Sequence, residues 1–264
     1  MITVFGMIHF SPLEGDPHFS NKDLVLERAK ADLEVLLLGG VDGIIFENNF
    51  DNPKFAFLPA KQSAHFEELV RTLVPSLSVP WGVSPLWNDY PLGFRLCQEL
   101  GGVLVRVPVF VDSVETVYGT FEAEPERVMQ VRKDLGAEQV QVIADVQVKH
   151  ARMLHPRLLS ESVKEAVIKG ADGVIITGSW TGDPPTVAMV QEARDAEPQT
   201  KIYIGSGMTP ENIQSFLPFI DACIVGSAFK EQSVQKQDGP NIVGEDVRYD
   251  LDRVKRFMEA VRTN

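Results

Sequence analysis

"ESVKEAVIKGADGVII", residues 161–176, decides the fold. A segment of helical period runs up to Gly170, and the chain then passes through "ADG" into a short apolar run. "CQELGGVLV" (97–105) repeats this helix, glycine, strand grammar. So does the stretch from residue 22, where Leu24, Leu26, Ala29, Leu33, Leu36 and Leu37 recur near helical spacing until Gly39 and Gly40 stop the helix at 38.

Working outward, the strand candidates are "ITVFGMI" (2–8), "DGIIFE" (42–47), "WGVSPL" (81–86), "GVLVRVP" (102–108), "QVQVIAD" (139–145), "DGVIITG" (172–178), "KIYIGSG" (201–207) and "DACIVGS" (221–227). A helix candidate follows each of them. One is "TPENIQSF", with Thr209 as N-cap and Pro210 in the first helical position. Eight βα units in roughly 250 residues predict an α/β fold, a single (β/α)8 TIM barrel. A doubly wound open sheet would carry a Gly-rich turn after its first strand, and "HFSPLEGDPHFS" (9–20) has no GxGxxG. No composition shift marks a linker, so residues 1–264 read as one domain, with 230–246 a long loop before the last helix.

Length and composition agree: 264 residues, 44% hydrophobic, can bury a full core. A net charge of −12 and a pI near 4.9 argue against nucleic acid or an anionic membrane as partner. Cys97 and Cys223 lie far apart in apolar runs and read as buried thiols in a reducing, cytoplasmic compartment. No signal-peptide pattern opens the chain, and its most apolar stretch, "GGVLVRVPVFV", is short and carries Arg106, so no membrane span is expected.

Barrel enzymes work at the C-terminal ends of their strands. Strand ends here offer His9, Glu47, Asn48, Asn88, Asp89, Arg106, Asp145, Thr177, Ser206 and Ser227. Any one carboxylate at such a position is as well explained as a cap or a salt-bridge partner. The set is harder to dismiss, because unlike ionisable groups gathered at one mouth are unfavourable unless a polar ligand or each other satisfies them. Glu47 and Asp145 are the candidate acid and base. Alternation along "QVQVIAD" puts Gln141, Ile143 and Asp145 on one face; if that face is the interior, Asp145 points at the ligand. Lys149 and His150 lie past the strand, which suits stabilisation of an anionic substrate better than a Schiff-base role.

Gly178, Gly205, Ser206, Gly207, Gly226 and Ser227 follow the later strands, where a barrel phosphate site uses glycines and hydroxyls. The bland alternative is that these glycines only turn the chain. Neither an HxH nor an HExxH spacing occurs, so no metal is assigned and no cofactor is required.

Several stretches, "GMIHFSPLEGDP" (6–17), "GGVDGIIFENNFDNPKF" (39–55), "GVSPLWND" (82–89), "ADVQVKHA" (144–151), "ADGVIITGSWTGDPP" (171–185), "GSGMTPENI" (205–213) and "DACIVGSAFK" (221–230), resemble in order the BtpA family, also called the BtpA/SgcQ family. The resemblance implies a TIM barrel of the phosphate-binding type. His9, Glu47, Asn48, Asn88, Asp89, Arg106, Asp145, Lys149, His150, Gly178, Thr181, Gly205, Ser206, Gly207, Gly226 and Ser227 fall within its motifs. Asn48, Asn88, Asp89, Thr177 and Thr181 are the substrate-binding candidates. Ser84 and Pro85 stand where an Asn and an aliphatic residue are expected, and Pro108 where an Asn is usual, which points to an altered pocket or weakened activity.

The family is named for a proposed part in photosystem I biogenesis, while many members look like enzymes and some are associated with sugar utilisation. Two function classes follow. One is an enzyme acting by acid–base chemistry (lyase, isomerase or glycosidic cleavage) on a small phosphorylated metabolite, a sugar or ribosyl phosphate. The other is a non-catalytic biogenesis or regulatory factor for a membrane complex such as photosystem I. Base rates for such barrels add a homo-oligomer.

Overall fold

The computed structural model describes residues 2–231 and 244–263. In chain order the elements are β1 (Thr3–His9), α1 (Lys22–Leu38), β2 (Gly43–Glu47), α2 (Ala60–Leu73), β3 (Trp81–Ser84), α3 (Tyr90–Leu100), β4 (Leu104–Val107), β5 (Val114–Thr116), β6 (Gly119–Phe121), α4 (Pro125–Asp134), β7 (Gln141–Asp145), β8 (Arg152–Met153), α5 (Leu159–Ile168), β9 (Gly173–Ile176), α6 (Val187–Ala196), β10 (Lys201–Ile204), β11 (Ala222–Val225) and α7 (Leu251–Arg262). Parallel strands close into a barrel in the order β1-β11-β10-β9-β7-β4-β3-β2. The expected TIM barrel is therefore present, and each of its strands falls within a residue or so of a predicted run.

Barrel strands are buried on both faces, which is why they read as nearly continuous apolar runs. Their outward residues, Val4, Ile44, Val83, Val105, Val142, Val174 and Ile202 among them, join the helices in the main apolar cluster. Inward residues form a second cluster of Phe5, Met7, Ile45, Leu104, Ile143, Ile175, Tyr203, Ala222 and Ile224. This plug closes the lower barrel, so any ligand enters from the strands' C-terminal ends.

Helix ends follow their sequence signals. Asn21 caps α1 by accepting from the Leu24 amide, and Asp89 caps α3 by accepting from Leu92. One expected helix is absent. Residues 209–220 form two 3-10 turns, Ile213–Ser215 and Leu217–Phe219. Asn212, not Thr209, organises the entry: its side chain accepts from the Thr209 amide and donates to the Gly207 carbonyl. Pro218, which has no amide hydrogen to donate, sits in the second turn.

A three-stranded antiparallel sheet, β6-β5-β8, stands beside the barrel mouth and was not foreseen; its strands are too short for a period to show. The expected loop at 230–246 lies mostly outside the described residues. Its described ends meet, with the Glu231 amide donating to the Arg248 carbonyl and Asp250 to Phe229. No helix among the described residues is long and apolar enough to cross a membrane.

Two glycines separate sterics from backbone conformation. A Cβ on Gly82 would stand 2.5 Å from both Cδ1 and the carbonyl oxygen of Leu104, whereas one on Gly40, where φ is +83°, meets nothing within 4 Å. Gly40→Ala should cost about 1–2 kcal/mol from its left-handed backbone alone. Gly82→Ala, which must displace a neighbouring strand, should cost about 3 kcal/mol. Urea midpoints of the two variants test the order; equal losses would mean the barrel interior yields more than its packing implies.

Candidate active site at the barrel mouth

Alternation continues through the strand ends, so the tier above the apolar plug is built from inward side chains two residues beyond it. His9 follows Met7, Glu47 follows Ile45, Arg106 follows Leu104, Asp145 follows Ile143, and Thr177 follows Ile175. Strand register sets His9 against Glu47 and Glu47 against Ser84. Glu47, Ser84, Arg106, Asp145 and Thr177 are all buried.

Arg106 organises this tier. Its Nε and Nη2 donate to the two Asp145 carboxylate oxygens at 2.8 and 2.9 Å, a bidentate fork, and Nη1 donates to Glu47 Oε2 at 3.3 Å. Burial works against the guanidinium charge, but Asp145 and then Glu47 more than offset it and raise its pKa above the arginine range. Ser84 Oγ donates to the same Glu47 oxygen at 2.9 Å. The serine standing where the family resemblance leads one to expect Asn thus completes the carboxylate's shell. Glu47 Oε1 remains, 3.7 Å from His9 Nε2. Burial, then Lys230, Lys149, Arg106 and Lys54, push the His9 pKa well below its ordinary value, so its imidazole is neutral at pH 7. Gly226 makes room for that ring: a Cβ there would lie 2.5 Å from His9 Cε1.

The β7–α5 loop brings Lys149 and His150 to the mouth's edge through a strained backbone. Gln147 and His150 have φ of +51° and +61°, which non-glycine residues rarely adopt. Buried Asp112 holds the loop by accepting from the Gln147 amide, Arg157 Nε and Ser162 Oγ. His150 Nε2 is 2.7 Å from Thr181 Oγ1, and Trp180 meets its ring edge-on. Burial, with Lys149 and Lys54 behind it, lowers His150 to about 4. Lys149 is pushed down to about 8 by burial and Arg106, with Glu47 and Asp145 opposing.

Other predicted residues serve the frame. Asn48 links Asp51 to the Leu86 backbone, Asn88 grips both backbone groups of Val109, and Asp89 accepts from Leu58 and Leu92. Ser206 Oγ donates to the Asp183 carbonyl and accepts from the Gly178 amide. Asp183 and Pro184 lie directly on Gly178 and Gly207, where a Cβ would come within 2.4 Å of Asp183 O and 2.1 Å of Pro184 N respectively. Part of the expected phosphate cradle therefore seats the chain's own β9–α6 loop. At Gly205 and Gly226 the atoms nearest an added Cβ belong to Ile175, Thr177, His9 and Met7 and not to that loop. Among the described residues, no group of three or more His, Cys, Asp or Glu is placed to hold a metal ion.

Unlike Lys149, two further lysines near the mouth, Lys230 and Lys54, escaped the sequence reading. Lys230, 2% exposed, has its ammonium over the Phe50 and Tyr249 rings at 4.9 and 5.6 Å and no hydrogen bond or ion pair among the described residues. Burial, only partly opposed by Asp32, brings it down to about 8. Lys54 donates to the carbonyls of Asn49 and Asp51 and stitches the β2–α2 loop. The available signal was position: each lysine closes a motif already singled out, "NNFDNPKF" and "CIVGSAFK".

Replacing Arg106 with Met should destabilise the fold by about 3–5 kcal/mol, because two buried carboxyls lose their counter-charge. Urea denaturation at pH 7 checks the size.

The model of the BtpA family matches residues 1–263. The photosystem I biogenesis protein BtpA of Synechocystis sp. is 34% identical over 262 residues, covering 98% of this chain and 87% of that protein. The sgc region protein SgcQ of Escherichia coli is 26% identical over 262 residues, covering 98% and 93%. Among solved structures, phosphoribosyl anthranilate isomerase from Thermus thermophilus superposes with a TM-score of 0.58 at 12% identity, covering 98% of each chain. That last likeness is one of fold.

Proposed function

We propose, from the premise that the chain belongs to the BtpA family, that it is an enzyme acting by acid–base chemistry on a small phosphorylated metabolite, a sugar or ribosyl phosphate. One observation carries the reading: a dry tier of His9, Glu47, Arg106 and Asp145, with the ammonium groups of Lys149 and Lys230 beside it making no ion pair among the described residues. Such an arrangement is unfavourable when empty and complementary to an anion.

The roles divide by what each atom already holds. Both Asp145 oxygens are taken by Arg106, so Asp145 is a positioning residue that aims the guanidinium. Glu47 Oε1 and neutral His9 are the pair able to take and return a proton at a bound substrate. Lys149 and Lys230 supply positive charge for the phosphate and for negative charge developing in the transition state. Gly205, Gly226 and Ser227 offer the phosphate its backbone seat, and Thr177 and Thr181 contact the rest of the substrate. The name of the Synechocystis relative supports a second reading, a biogenesis factor, for which this tier would be dispensable.

Titration calorimetry with ribose 5-phosphate tests the first reading. Binding should weaken roughly tenfold or more in Lys149→Met, the value of a charge-assisted contact. It should also weaken as pH rises through about 8, where Lys149 and Lys230 lose their protons. Glu47→Gln should keep the binding and lose the turnover of whichever sugar phosphate the wild type converts, followed by NMR. No binding by any sugar phosphate, or full function in cells with Glu47→Gln, favours the second reading.

A further inference from the structure

A cavity of about 990 Å³ opens beside the charged tier, between the β7–α5 loop, the β9–α6 loop and the small antiparallel sheet. It lies at the upper end of the roughly 300–1,000 Å³ that ligand pockets occupy, more than a bare sugar phosphate needs. Its walls are of two kinds. Toward the barrel stand Lys149, His150 and Thr177, shared with the mouth; away from it stand Trp180, Val117 and Met153.

Two features point to an occupant. Thr177 Oγ1 and His150 Nδ1 are buried and have no hydrogen-bond partner among the described residues, and Thr177 is only 4% exposed. Buried polar atoms left unsatisfied are uncommon and call for a partner. Beside them, Trp180 is 59% exposed although its ring lies edge-to-face with that of His150. An open indole beside a hydroxyl and an imidazole matches a flat ring that is apolar on its faces and polar on its edge.

We infer that this cavity takes the planar heteroaromatic ring of the ligand, the ring face lying on Trp180 and its polar edge meeting Thr177 and His150. The inference rests on the phosphorylated-ligand reading and sharpens it: the substrate is an anionic sugar that carries a ring of nucleobase type, with its charged end at the tier of Arg106 and Lys149. The His150–Thr181 contact fixes the imidazole so that Nδ1 faces the ring edge.

Calorimetry and tryptophan emission with ribose 5-phosphate, adenosine, and the 5′-monophosphates of adenosine and uridine test it in the whole chain. Stacking on an aromatic face is worth roughly tenfold in affinity. At least one nucleotide should therefore bind about tenfold more tightly than ribose 5-phosphate. Trp180→Ala should abolish that advantage, and the ligand-induced change in emission, while leaving ribose 5-phosphate affinity unchanged. Thr177→Val should weaken nucleotide binding without altering emission from the free protein. Nucleotides that bind no better than ribose 5-phosphate, with adenosine giving no signal, overturn the ring inference and leave the phosphate reading standing. Adenosine binding at Trp180 while ribose 5-phosphate fails to bind does the reverse. Silence from every probe overturns both.

Discussion

The fork between Arg106 and Asp145 is the constraint on which the upper barrel depends. A guanidinium in a dry barrel is unfavourable by itself, and so is each of the carboxyls it meets. Together they are satisfied only if β2, β4 and β7 hold their register, because Glu47, Arg106 and Asp145 come from those strands. A slip of one residue in β4 would turn Arg106 outward among Val105 and Val107's apolar neighbours and leave both acids without a counter-charge. The charge network thus specifies the barrel's register and places the reactive groups in a single act.

Once Asp145 is committed to Arg106, the carboxylate oxygen of the tier held by neither Arg106 nor Ser84 is Glu47 Oε1, beside His9, which is why the proposed proton-handling pair lies on the β1–β2 side and not on β7. Beyond the strands, a second polar hub does comparable work. Asp112, in the segment after β4, accepts from an amide of the β7–α5 loop and from Arg157 and Ser162, so it can hold Gln147 and His150 in left-handed conformations that would otherwise relax. Stiff loops matter here because Lys149 makes no hydrogen bond or ion pair in the described residues. Its position is set by its backbone.

The barrel was legible because a two-residue period and a helical period alternate along the chain, and inward polar residues at strand ends follow from the same parity. Glu47, Arg106 and Asp145 were found that way. What each would touch was not legible, since pairing across strands depends on register and not on local pattern; Asp145 accordingly read as an acid–base candidate and as a salt-bridge partner alike. The glycines carry two readings for a related reason. Gly178 and Gly207 have the composition of a phosphate turn, yet close approach to the chain's own Asp183 and Pro184 demands the same residue type as close approach to a ligand. The 3-10 turns at 213–219 were hidden because Pro210 and Asn212 fit a helix start as well as a turn. Trp180 and Lys230 sat inside recognised motifs without a periodic reason to be singled out.

A chain of net charge −12 would at first sight repel an anionic ligand. Screening removes that objection, since at physiological ionic strength surface charges fade over about 8 Å. Buried cations are screened far less. Arg106 and Lys230, both buried, and Lys149, partly buried at the cavity wall, therefore act most strongly over the last few ångströms. An acidic exterior and a cationic mouth are then compatible: the exterior leaves a small anion free to approach, and the proposed ligand would meet the cations only at the mouth. On the ring inference, the indole of Trp180 would add a selection that an anion alone leaves unused. Charge at the barrel's top tier and an apolar shelf beside it, joined by the loop that carries Lys149 and His150, favour a ligand that is amphiphilic at the scale of a single small molecule.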